Sequence, residues 1–358
     1  MEPTEFLECA EPAAGVAATG VLLDWIGDLD RPDLDRPDRL GEYAARLAAM
    51  TQCLVAAEIQ AAEASRVIAS VNEALAVRLL RLAEARLGPP PCPYAWLVLG
   101  SGGRQEQALR CDQDNALVYA EDTGEAAEYF AVLADTVVTA LLAAGFPRCP
   151  GGYMATTWRH TLDDWVEIFR RWVEQPQPQA LVEAEVFLDF RRIHGQLSPW
   201  PLDQILSGGA SRPQFLVHMA RAAVTFRPPL GLFGRVRAAH DQLDLKRGGI
   251  AAIVLLARLY ALEAGSLVRP TADRLAAAAA AGTLSHSGAQ RLAQDYLFLL
   301  DLRLRTQLRR VAEGGRPDDC VRLDHLGQDG QHRLRSALHA VHDHQQATAL
   351  RFRTDAVS

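Results

Sequence analysis

The chemistry in this sequence starts with two carboxylates. Asp112 and Asp114 flank Gln113 at the head of an apolar run from Ala116 to Tyr119. If that run is a strand, side chains at i and i+2 share a face about 6.6 Å apart, so both acids aim at one place. Two carboxylates within about 4 Å repel by roughly 4 kcal/mol at an effective dielectric near 20. A divalent cation removes that conflict, and Mg²⁺ with nucleotide phosphates is the usual occupant of an oxygen-only site. Just upstream, the apolar run Trp96 to Leu99 ends abruptly in Gly100-Ser101-Gly102-Gly103. There a buried strand gives way to a loop whose backbone N–H groups can approach an anion closely, a seat for phosphate. Either feature alone is common; in this order and this close together they point to nucleotide chemistry.

A third acid needs an explanation. Glu185 to Arg191 (EVFLDFR) alternates bulky apolar residues with Asp189 and is expected to be a strand. Burying an unpaired Asp is costly enough to demand a partner. That partner is either an arginine nearby, Arg191 or Arg192, or a metal shared with the first two acids.

The elements that must hold these residues follow from punctuation and periodicity. Arg39 to Leu87 carries apolar residues at helical spacing, Val67, Val71, Leu75 and Leu79 among them, on one long helix or a pair. It reads as a supporting layer with no visible chemistry, preceded by a turn-rich DRPDLDRPD connector at Asp28 to Asp38. Pro89 to Pro93 excludes helix interior and marks a boundary. Glu125 to Ala144 is an amphipathic helix stopped by Gly145-Phe146-Pro147, followed by a glycine-bearing loop at Cys149 to Met154 and helical spacing over Trp158 to Val173. Gly195 to Gly209 reads as a connector, Gln214 to Thr225 as helix, and Ile250 onward as a helical bundle. Phe226 to Arg237 sets Arg227, Arg235 and Arg237 around a proline-glycine turn, either a basic surface or a phosphate clamp.

Composition narrows the function classes. The 358 residues are 49% apolar, enough for two or three domains, and 7% aromatic, so helix should dominate. A net charge of −7 supplies no global field for nucleic acid. The six cysteines include no C-x-x-C pair, which argues against a zinc ribbon or a disulfide framework and fits a reducing cytoplasm. No uninterrupted apolar run has the length of a membrane span, so a soluble protein is expected. His339, His342 and His344 lack the companion ligands of a metal site.

The strand, Gly-Ser loop and strand with two aspartates resemble the nucleotidyltransferase fold of the DNA polymerase β superfamily. More narrowly, Gly100-Ser101, Gly103-Arg104, Glu106-Gln107 and Asp112-Gln113-Asp114-Asn115 look like the nucleotidyltransferase family related to the N-terminal domain of the PII-protein uridylyltransferases. Asp244-Leu245-Lys246 with two glycines after Arg247 resembles the element that follows the catalytic domain in those enzymes and in the glutamine synthetase adenylyltransferases.

The resemblance implies an α+β fold: a small mixed sheet as the nucleotidyltransferase core at 89–198, an N-terminal helical segment at 1–88 and a C-terminal helical substrate-binding domain at 199–358. It implies transfer of an NMP group from UTP or ATP to a protein or small-molecule hydroxyl, with two Mg²⁺ ions, or Mn²⁺. Asp112, Asp114 and Asp189 would be metal ligands; Gly100, Ser101, Gly103, Arg104, Lys246 and Arg227 would contact the nucleotide. Glu106 and Gln107 would brace the loop, and Asn115 would cap the turn beside the metal. The competing class is a module of the same fold that binds a nucleotide as a signal without turning it over. A Rossmann-type dinucleotide site is disfavoured, because position 105 is Gln where a third glycine would be needed.

Overall fold

Directly after the prolines at 89–93, Tyr94–Val98 forms strand β1, buried along almost its whole length. It is an interior strand of its sheet, and that position explains its unbroken apolar sequence. The computed structural model describes residues 12–176, 184–231, 236–237 and 242–354. Contacts divide the chain into two units: Met1–Trp165 with Val186–Pro199 and Leu308–Pro317, and Val166–Glu185 with Trp200–Gln307 and Asp318–Ser358. The fold class is α+β.

In the first unit three helices come first: α1 (Pro12–Gly27), α2 (Pro37–Ala56) and α3 (Ala61–Leu87). The expected long helical stretch is thus a pair, and the connector before it contains a short 3₁₀ turn at Arg31–Asp35. Ile68, Val71, Leu75 and Leu79 of α3 are buried, each worth about 2 kcal/mol of burial. After β1 come the single turn α4 (Gly100–Gly103), β2 (Asn115–Tyr119), α5 (Gly124–Ala143), β3 (Arg159–Thr161), the first four residues of α6 (Leu162–Glu174), whose remainder belongs to the second unit, and β4 (Arg191–Gly195). The sheet order is β3-β2-β1-β4, mixed in direction: β1 is antiparallel to both β2 and β4, whereas β2 and β3 are parallel.

By length and composition α5 could cross a membrane. Here it is a core helix: Phe130, Leu133, Val137 and Leu141 are buried on its inner side, and Thr123 caps its start by accepting from the Ala126 N–H at 3.1 Å. Cys53 of α2 is disulfide-bonded, a correction to the expectation of reduced cysteines throughout; Cys92, Cys111, Cys149 and Cys320 stand outside any disulfide.

Glu84 near the end of α3 ties that helix to the sheet. It accepts from the Tyr94 hydroxyl at 2.5 Å and lies 3.1 Å from His194 Nε2. Burial alone would raise its pKa, but the hydrogen bonds from His194 and Tyr94 outweigh burial and lower it. A carboxyl depressed in the folded state stabilises above its unfolded value, 4.5, and that contribution is lost as pH falls through the lowered folded value. Glu84→Gln should therefore lower the urea midpoint at pH 7, and the gap to wild type should narrow as the pH falls below 4.5.

In the second unit, described helices at Trp200–Gly208, Pro213–Thr225, Ala251–Glu263, Thr271–Ala281 and Gln328–Phe352, with most of His286–Ala312, accompany a two-stranded ribbon of β5 (Gln242–Asp244) and β6 (Cys320–Arg322). The stretch expected as a connector thus includes a helix at Trp200–Gly208. Polar ties fix the bundle: fully buried Asp295 accepts from Arg291 and Arg333, and Arg303 and Gln307 both donate to Asp319.

Candidate active site

The register of the central strands builds the site. Val98 of β1 lies opposite Asn115 of β2, and the pairing runs one step further: the Leu99 N–H donates to the Asp114 carbonyl at 2.9 Å. That step brings Asp114 beside Gly100, the first residue of α4. Gly100 adopts φ +50, and a Cβ there would stand 3.0 Å from Asp114 Oδ2. Only glycine therefore suits this position, both for backbone conformation and for the carboxylate lying against it.

Gln113, between the two acids, turns its amide inward to the carbonyls of Val138 and Phe146 at 3.3 and 3.4 Å, and its backbone bridges to Arg148. Alternation along extended chain then gives Asp112 and Asp114 a shared face. The glycine loop at 149–152 meets Asp114 through Cys149. The Cys149 thiol hydrogen-bonds to it, and its pKa is pushed up to about 11, first by burial and then by the Asp114 charge. The Asn115 Oδ1 accepts from the Ala155 N–H at 2.8 Å and holds the turn at 155–157 to β2.

At the other end of α4 stands the third acid. Asp189 does not lie on a strand: residues 184–187 are helical, Phe190 N–H donates to the Phe187 carbonyl in a turn, and β4 begins only at Arg191. The alternation in EVFLDFR reflects burial of Phe187, Leu188 and Phe190 around a tight turn. The Asp189 carbonyl passes so close to Gly103 that a Cβ there would sit 1.6 Å from its oxygen.

The fully buried Asp189 carboxylate pairs with Arg104, not with Arg191 or Arg192. Arg104 also donates from Nε to Glu106 at 2.7 Å. The Arg104 fork spans two buried acids, which need it because a buried carboxylate left unpaired is strongly destabilising. Gln105, at φ +58, makes the reversal that brings Glu106 back to Arg104. Arg104→Lys keeps the charge but loses the two-pronged geometry. It should cost about 1–2 kcal/mol in a urea melt.

The structure therefore brings together Gly100 with Asp114, and Gly103 and Arg104 with Asp189. Among the described residues no group of three or more His, Cys, Asp or Glu side chains forms a metal cluster. The residues do fit a magnesium–nucleotide site of smaller protein contribution. Mg²⁺ is commonly held by one or two carboxylates plus substrate phosphates, and Asp114 beside a side-chain-free Gly100, with Asp112 two residues before it, offers carboxylates of that number.

Arg227 and Lys246 belong to the second unit, and both are exposed. The Arg227 N–H donates to the Thr225 carbonyl, and Gln345 fixes the adjacent backbone by donating to the carbonyls of Ala223 and Phe226. Asp244 ends β5 and accepts the Arg247 N–H at 2.9 Å, holding the turn that follows. Of the three arginines expected as a clamp, Arg235 lies outside the described residues.

The helical layer proved richer than its sequence suggested. Asn72 of α3 is buried and accepts from the Tyr43 hydroxyl at 2.6 Å. Its amide donates to Gln107 Oε1 at 2.8 Å and to Cys111 Sγ at 3.7 Å. Its neighbour Glu73 accepts from Arg191 at 2.8 Å, and the same Arg191 nitrogen lies 3.3 Å from the Gly102 carbonyl. The signal that could have found Asn72 is a lone amide on the apolar stripe of Ile68, Val71 and Leu75.

Against this geometry, two family models match. Residues 45–179 match the family described as "Putative nucleotidyltransferase DUF294", and residues 213–352 match the one described as "Putative nucleotidyltransferase substrate binding domain". The chain belongs to this nucleotidyltransferase family. No curated protein matches it. The first match covers α3, the sheet strands β1 to β3 and both aspartates of the pair, so Asn72 as well as Asp112 and Asp114 falls within the nucleotidyltransferase region. Arg227 and Lys246 fall within the substrate-binding region.

Proposed function

We propose that this chain is a metal-dependent nucleotidyltransferase that moves an NMP group from UTP or ATP to a hydroxyl of a protein or small molecule, as the PII uridylyltransferases do. The observation that carries the reading is the Gly100–Asp114 juxtaposition, a side-chain-free turn against a carboxylate, within a chain of this family. Residues 89–198 would be the catalytic domain and 199–358 the substrate-binding domain.

Gly100, Ser101 and Gly103 would cradle the β- and γ-phosphates with their backbone. Asp112 and Asp114 would hold Mg²⁺, or Mn²⁺, which when bound offsets triphosphate charge and activates the acceptor oxygen. The acceptor oxygen bonds to the α-phosphorus, the bond to the β-phosphate oxygen breaks, pyrophosphate departs and the hydroxyl proton passes to solvent. The chain's own share is placement of the phosphates in line with the acceptor. Asp189, held by Arg104, would fix the far end of the turn and act as a ligand only by releasing that arginine. Lys246 and Arg227 are assigned to the nucleotide by the resemblance. The setting would be the cytoplasm, where a reducing milieu would open the Cys53 disulfide; neither a membrane nor a nucleic acid is proposed as partner.

One observation favours a second reading, a nucleotide-binding regulatory module: the third acid is already committed to Arg104. Incubation with α-³²P-labelled UTP or ATP and cell extract separates the two. A transferase leaves label on an acceptor and releases pyrophosphate; a binding module retains nucleotide and labels nothing.

A further inference from the structure

The amide of Asn72 touches both halves of the site. Through Gln107 it reaches the glycine turn: a Cβ on Gly102 would stand 3.4 Å from Gln107 Nε2, so the Gln107 amide rests against the turn's backbone. Through Cys111 it reaches the residue immediately before Asp112. Tyr43 of α2, stacked on Phe146 with ring centroids 5.8 Å apart, holds the amide oxygen from behind. One residue along, Glu73 steers Arg191 onto the Gly102 carbonyl, a second tie from the same helix to the same turn. A cavity of about 50 Å³ is lined by Asn72, Glu73, Gln107, Arg191, Asp112 and Asp114 among others, so these ties border the acid-bearing segment.

We infer that Asn72 is a positioning residue of the nucleotide site: it fixes the distance between the phosphate-cradling turn and the Asp112–Asp114 segment. Two loops joined only through a strand pair could shift against each other. A buried amide that donates to both removes that freedom, and its own place is fixed by Tyr43. A misplacement of the order of 1 Å in such a site costs about a hundredfold in function. The inference rests on the nucleotidyltransferase reading, since positioning has meaning only for a site that binds nucleotide.

The test is calorimetric titration of MgATP and MgUTP into wild type, Asn72→Leu, Gln107→Leu, Tyr43→Phe and Ile68→Val, all well below their melting temperatures. Asn72→Leu keeps the branched shape and the number of side-chain heavy atoms and removes both donors. Gln107→Leu breaks the turn-side tie from its other end and stands in should the first variant fold poorly. Expected are at least tenfold weaker binding for Asn72→Leu and Gln107→Leu, and less than threefold for Tyr43→Phe, which keeps both donors of Asn72. Ile68→Val, on the same helix, should lower the melting temperature while leaving affinity unchanged. Wild-type affinity in Asn72→Leu and Gln107→Leu, with only their melting temperatures lowered, would overturn the inference and leave the nucleotide site standing. Failure of wild type to bind either nucleotide would overturn the functional reading and this inference with it.

Discussion

Asp112→Asn/Asp114→Asn protein should fold as wild type does and transfer nucleotide about a thousandfold more slowly or worse, roughly 4 kcal/mol of barrier. Asparagine keeps the size and shape of each side chain. The Leu99 N–H bond to residue 114 is to its backbone carbonyl and survives the change. What is lost is the anionic oxygen pair that would hold a divalent cation against the triphosphate. The melting temperature should stay level or rise, because two like charges on one face no longer oppose each other. Measured as pyrophosphate release alongside a thermal melt, a large loss of rate together with a large loss of stability would count against a ligand role. So would an undiminished rate.

Gly103→Ala should be the most damaging single substitution in the fold itself. The added methyl would lie 1.6 Å from the Asp189 carbonyl oxygen and 3.3 Å from that of Val98, both backbone atoms that no side-chain rotation can move. Relief requires the turn before β4 to retreat, and that turn carries Asp189, whose buried carboxylate would then lose its alignment on Arg104. Steric displacement and a weakened buried ion pair combine, and the expected cost is about 4–5 kcal/mol, in the range reserved for disrupted cores and networks. Urea unfolding would read it, with little soluble protein as the extreme case. Gly102→Ala is the internal comparison: its nearest neighbours stand at 3.4 Å, so it should be far milder.

These two expectations also mark what the sequence could and could not say. The turn and the aspartate pair were legible because glycine and carboxylate have few reasons to stand together: backbone approach and cation binding are the strongest of them. Strand β1 was legible because a strand covered on both faces is apolar throughout, and a proline cluster set its start. Asp189 was legible as a buried acid needing a partner, but not its partner. Arg104 lies 85 residues away along the chain and meets it only because the turn before β4 packs onto Gly103. The same turn made EVFLDFR look like a strand, since alternating burial is shared by strands and by short irregular turns in a core. Asn72 was overlooked because helical periodicity ranks an amide on an apolar stripe as a tolerated exception, whereas its meaning depends on Gln107 and Cys111, 35 and 39 positions further on.

Several buried polar groups of the first unit converge on one object, the four-residue turn at Gly100–Gly103. Asp114 lies against its first residue, Asp189 and Arg104 lock its last, and α3 reaches its middle through Gln107 and Arg191. Buried polar contacts are costly unless satisfied, so their concentration at one turn is what a site requiring fixed geometry needs. The position of the metal relative to that turn is accordingly the central claim. Anomalous diffraction from a crystal grown with Mn²⁺ and a non-hydrolysable NTP analogue tests it most directly. The account predicts a manganese peak shared by carboxylate oxygens of Asp112 and Asp114, with the phosphates over Gly100 and Ser101. Manganese elsewhere, or a triphosphate seated away from the turn while both aspartates stay unligated, would contradict it.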